Sequence, residues 1–102
     1  MSFTIGTYYA IRHKKTGYYI PATHNGKGGR GGSHVEPRDP NKMIPRLFPS
    51  TASAKAFLGQ WLRGEINACR YNDDEIITVV PVATRKKEDM EIIEINLIPI
   101  PF

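Results

Sequence analysis

STASAKAFLGQWLRG, residues 50–64, is the stretch on which the fold reading turns. Ala54, Phe57, Leu58, Trp61 and Leu62 recur at the spacing that lines one face of an α-helix. Ser50 or Thr51 can cap its start, where a side-chain oxygen takes up a free backbone N–H. Gly64 stops it. A single amphipathic helix needs an apolar surface to lie on, and the rest of the chain reads as strands.

Upstream, TYYAIRH (7–13), KKTG (14–17) and YYIP (18–21) form two aromatic and β-branched runs around a polar turn containing Gly17, the pattern of a β-hairpin. Residues 22–43 are rich in Gly, Asn, Ser, His and Pro without hydrophobic period, which is long for an unstructured connection in a small domain. Residues 44–48 read as a short strand that Pro45 and Pro49 confine to an edge. Downstream of the turn-like Tyr71-Asn72-Asp73-Asp74, residues 75–82 are a β-branched run. Residues 91–98 alternate Ile93, Ile95 and Leu97 onto one face, and the basic tip ATRKKED (83–89) lies between these two runs. IPIPF, residues 98–102, has prolines at alternate positions and reads as an extended surface tail. The expectation is one α+β domain spanning 1–102: a small, mostly antiparallel sheet of about five strands packed against one helix, with a Gly/Pro-rich loop at 22–43 and a Pro-rich tail at 98–102.

The chain has 14 Lys+Arg against 10 Asp+Glu, a net charge of +4 that favours acidic partners. The charge is uneven: Arg12, Lys14, Lys15, Lys27, Arg30, Arg38, Lys42 and Arg46 are opposed over that span only by Glu36 and Asp39. One cysteine, Cys69, rules out an intramolecular disulfide. The start, MSFTIGTYYAIRHKK, lacks a signal-peptide pattern, and no run approaches the roughly 18 apolar residues of a membrane span. The expected location is the cytoplasm.

Chemistry-bearing residues concentrate in the first half. Gly26-Lys27-Gly28-Gly29-Arg30-Gly31-Gly32 would let successive backbone N–H groups face an anion beside two cations. A flexible exposed loop explains the run equally, and no β-α-β unit or Walker loop surrounds it. Tyr8, Tyr9, Tyr18 and Tyr19 interleave with Arg12, His13, Lys14 and Lys15, so each arm of the hairpin sends an aromatic to both faces. Tyr9 and Tyr19 are the expected core members. Tyr8 and Tyr18 on the other face, beside cations, could stack a nucleobase, with ordinary cross-strand packing as the alternative. Trp61 is expected in the core. Arg46, between apolar neighbours, wants a carboxylate or phosphate, from within the protein or from a ligand.

Catalytic patterns are weak. His13, His24 and His34 lack metal-pair spacing, Cys69 alone cannot build a zinc cage, and Gly-x-Ser-x-Gly is absent. His34 with Glu36 is the one candidate acid-base pair. The expectation is therefore no enzyme activity, no cofactor and no metal.

Three blocks, YYAIRHKKTGYYIP with SHVEP, then PRLFPSTASAKAFLGQWLRG, then RKKEDMEIIEINL, resemble a family of small proteins encoded by tailed bacteriophages and prophages. The resemblance implies a role inside an infected bacterium and brings no catalytic residue. A second similarity, carried by Tyr8-Tyr9-Ala10-Ile11 before a strand and an Ala/Phe-rich helix, is to the hybrid-binding domain of eukaryotic ribonucleases H.

Together these lead to a phage accessory protein that sequesters a nucleotide-type immune signal without cleaving it. Tyr8, Arg12, Lys14, Tyr18, Lys27, Arg30, Arg38 and Arg46 are the ligand-binding candidates. Such ligands suit pockets between identical subunits, so a homo-oligomer is expected. The alternatives are RNA or DNA binding by the same hairpin, and inhibition of a host protein through the tail and helix.

Overall fold

The computed structural model describes residues 6–22, 33–72 and 74–101, with only the backbone at 68–71. Strand β1, Gly6–His13, is antiparallel to β4, Met90–Leu97, from the pair Gly6–Leu97 to the pair His13–Met90. Alternation along β1 gives it two characters. Tyr9 and Ile11, with Ile92 and Met90 across the ladder, face the hydrophobic core. Tyr8 and Arg12 point the other way, and Arg12 meets its register partner Glu91.

Helix α1, Thr51–Arg63, closes the core. The Ser50 side chain accepts from the Ser53 N–H, and the Ser53 side chain accepts in turn from the Ser50 N–H, a reciprocal cap built with serine at both positions. Its apolar stripe buries Ala54, Phe57 and Trp61 against Ile11, Ile20, Phe48 and Met90. The Trp61 indole N–H donates to the Val35 carbonyl at 2.7 Å, so the largest core side chain carries no unsatisfied donor. Gly64 ends the helix at φ 130°, and a Cβ there would collide with the carbonyl of Val80.

Directly after Gly64 runs β2, Glu65–Tyr71, which pairs antiparallel with β3, Asp74–Val80. Asn72 at φ 50° supplies the left-handed residue that a tight hairpin turn needs. A single 3₁₀ turn, Lys87–Asp89, leads into β4.

The α+β architecture with one helix and antiparallel pairing is as expected, but the sheet is not. Among the described residues four strands form two separate two-stranded sheets, β1–β4 and β2–β3, in place of about five strands in one. The runs at 18–21 and 44–48 do lie beside β1, but only through isolated bridges: Arg12–Tyr19, Tyr19–Arg38, Pro21–Pro45 and Tyr9–Phe48. Pro21, Pro37, Pro40, Pro45 and Pro49 bring no N–H to a ladder, so pairing cannot extend past one bridge at a time. Between 33 and 43 the Pro-rich stretch is tied down: Ser33 is buried, Val35 packs on the core, and Arg38 exchanges both backbone hydrogen bonds with Tyr19.

Candidate functional site

The turn after β1 and the turn before β4 meet at one end of the sheet. The Lys14 N–H donates to the Asp89 carbonyl at 2.8 Å, and the Lys15 ammonium stands 3.8 Å from the Asp89 carboxylate. Gly17, at φ 72°, lets the chain double back so that its N–H reaches the His13 carbonyl. Thr16 donates its backbone N–H to His13 Nδ1, and its hydroxyl accepts from the Tyr18 N–H. Tyr18, 41% exposed, lines a pocket of about 210 Å³. Thr16, Glu36, Trp61, Thr84, Lys86 and Asp89 are among its other walls.

Arg85, from the stretch ATRKKED, is also among the residues around this pocket. Its side chain has no exposed surface and its guanidinium lies 4.4 Å from the Trp61 ring centroid. Nε and one terminal nitrogen donate to the same Glu36 oxygen, at 3.0 and 2.7 Å. The other terminal nitrogen donates to the Trp61 carbonyl at 2.9 Å, and the one bound to Glu36 also reaches the Val35 carbonyl at 3.4 Å. One buried cation thus locks the 33–36 segment, the end of α1 and the approach to β4 into one wall.

The pocket offers both donors and acceptors beside the exposed Tyr18. Lys86 and the Thr16 and Thr84 hydroxyls can donate, and the Asp89 carboxylate can accept. Lys14 and Lys87, both exposed, stand with Lys15 and Lys86 on the two turns. A volume of about 210 Å³ lies below the roughly 300 Å³ at which drug-sized sites begin, so one ring or one phosphate fits, and a larger ligand would extend over the lysines.

A second, shallower cavity of about 310 Å³ lies on α1, lined by Arg46, Phe48, Pro49, Ser53, Phe57 and Gln60 among others. The Arg46 guanidinium is 5.1 Å from the Phe48 centroid and 4.7 Å from that of Phe57. It stacks on these two rings in a cation–π arrangement while lining the cavity.

The expected ligand residues are distributed over several places. Tyr18 lines the first pocket and Lys14 sits on its turn. Tyr8 and Arg12 are on the opposite face of β1 from His13. Arg12 is taken by Glu91, with Nη2 2.6 Å from the carboxylate, and its pKa is held above the ordinary value by the hydrogen bond to Glu91 first and that to the Tyr19 side chain second. Arg38 is exposed beside Tyr19, and Arg46 belongs to the second cavity. Lys27 and Arg30, with the glycine run that holds them, lie outside the described residues.

His34 and Glu36 do not meet. His34 Nε2 is 2.9 Å from the Ile66 carbonyl and Nδ1 is 3.5 Å from Glu65, while Glu36 serves Arg85. Among the described residues no three His, Cys, Asp or Glu side chains cluster as a metal site, and no helix is long and apolar enough to cross a membrane. Compared with protein-family models, with curated proteins and with solved structures, the chain finds no match.

Proposed function

We propose that the pocket under Tyr18 holds one moiety of a small nucleotide-type anion, and that the protein acts by retaining this ligand uncleaved. The observation that carries the reading is the exposed Tyr18 lining a pocket that Lys86 also lines, with Lys14, Lys15 and Lys87 on the same two joined turns. A nucleobase stacked on a phenol ring gains about 1–3 kcal/mol. Lysines on these turns suit phosphate as mobile point charges, whereas Arg85 is already engaged by Glu36 and two carbonyls. The resemblance of the sequence to phage-encoded proteins supplies the setting: an accessory protein that withdraws a bacterial immune signal from circulation.

Thermal unfolding with a panel of cyclic dinucleotides, cyclic trinucleotides, ADP-ribose isomers and short oligonucleotides tests this. A ligand at a hundred times its Kd stabilises by about 2.7 kcal/mol, which shifts the midpoint by several degrees or more. The expected result is a shift from one small nucleotide, recovered intact after heating, and lost in Tyr18→Ala. A cleaved product, or a response confined to oligonucleotides that falls steeply with salt, contradicts the proposal, the latter in favour of nucleic-acid binding.

A further inference from the structure

The β2–β3 ribbon leaves a large apolar surface uncovered. All seven residues of β3 are exposed, including Ile76 at 43%, Ile77 at 55%, Val79 at 46% and Val80 at 50%. The two strands pack chiefly on each other, and an isolated two-stranded ribbon is marginal in water. The molecule is correspondingly drawn out, 60 × 30 × 26 Å, with a radius of gyration of 15.8 Å, against about 13 Å for a compact domain of this length. Its accessible surface is 7465 Å² for 11.5 kDa, where a compact monomer of that mass has about 5,800 Å².

The backbone says which edge is open. Ile66 directs its N–H to Ser33 Oγ at 2.9 Å and its carbonyl to His34 Nε2 at 2.9 Å, both away from β3, so its register partner is the non-hydrogen-bonded residue Val79. Alternation then makes the Ala68–Ile77 pair non-hydrogen-bonded as well. The backbone groups of Ile77 and Val79 therefore point to the outer edge of β3, where among the described residues no backbone partner meets them. The edge carries no lysine, and the one proline at hand, Pro81, stands just beyond the strand.

We infer that a second copy of this chain pairs with the open edge, β3 against β3 antiparallel about a two-fold axis at Ile77, giving a four-stranded sheet across the dimer. A two-fold axis normal to a sheet pairs residues of equal parity, and centring it on Ile77 opposes Ile77 to the partner's Ile77 with their outward backbone groups facing each other. The strand is then matched end to end, Asp74 opposite the partner's Val80. This direction also separates like charges. Asp74 and Glu75 sit at one end of β3, so antiparallel pairing holds the two acidic ends about five residues apart, whereas parallel pairing would set them against each other.

Sedimentation of the full chain and an engineered cross-link test the inference. The wild type is expected at about 23 kDa, twice the 11.5 kDa chain, at micromolar concentration. Ile77→Lys places two ammonium groups at the axis and is expected to weaken the dimer at least a hundredfold. Because that variant can fail to fold, a second one is decisive: Ile77→Cys in a Cys69→Ser background should oxidise to a covalent dimer, since the Cα separation of about 5.5 Å in such a pair is that of a disulfide. Ile44→Cys, 75% exposed and remote from the ribbon, should not. A wild-type mass of 11.5 kDa overturns the inference, as does a dimer whose Ile77→Cys form resists cross-linking or cross-links no better than Ile44→Cys.

Discussion

Arg85 is where the most structure hangs on one side chain. A fully enclosed guanidinium that satisfies one carboxylate oxygen and two helix and loop carbonyls cannot be shortened without leaving those acceptors unpaired. Arg85→Ala is expected to cost about 2–4 kcal/mol in urea unfolding, and Arg85→Lys roughly half of that because an ammonium cannot reproduce the fork. Nothing around position 85 announces this, since ATRKKED reads as a solvated basic tip and its burial depends on Glu36, Val35 and Trp61 arriving from elsewhere. Tyr18 and Lys14 were legible, because an aromatic next to cations on a turn is a local pattern. Arg12 was not legible as a structural cation, because its partner Glu91 lies 79 residues away. Its raised pKa means that, while Glu91 is ionised, the Arg12 contribution is complete below the ordinary arginine value and is lost as pH climbs through the raised one. Titration between pH 6 and 9 should therefore leave the Arg12 contribution unchanged, and a double-mutant cycle with Glu91→Gln measured at both ends of that range should return the same coupling.

Helix α1 was readable to within a residue because periodicity, cap and stop signal agree in fifteen consecutive positions. Replacing Ser50 by alanine removes the acceptor for the Ser53 N–H and is expected to lower stability by about 1 kcal/mol, seen as a fall in thermal midpoint. Gly64 is more demanding: its φ of 130° and the carbonyl of Val80 pressed against it exclude any side chain. Gly64→Ala is expected to cost about 2–3 kcal/mol, measurable by urea unfolding. The ribbon strand β2 escaped the sequence because EINACRY alternates no clear apolar face and follows the helix with a single residue between. The supposed second hairpin strand and the 44–48 strand failed for the opposite reason, their side chains being right for a sheet while their prolines interrupt the ladder.

At the scale of the molecule, two regions differ in character. The junction of the Lys14–Gly17 and Lys86–Asp89 turns carries the pocket, and the ribbon carries exposed aliphatic surface. Composition alone foresaw a basic protein but could not foresee that its cations divide among an ion pair with Glu91, a stack on Phe48 and Phe57, and a lysine-bearing pair of turns. The division makes the site claim specific to the pocket under Tyr18. Backbone amide shifts followed by nuclear magnetic resonance, during titration with whichever small nucleotide raises the thermal midpoint, test that claim most directly. The expected result is perturbation centred on Thr16 to Tyr18 and Thr84 to Asp89, and perturbation centred on Arg46 to Gln60, or spread without focus, would contradict it.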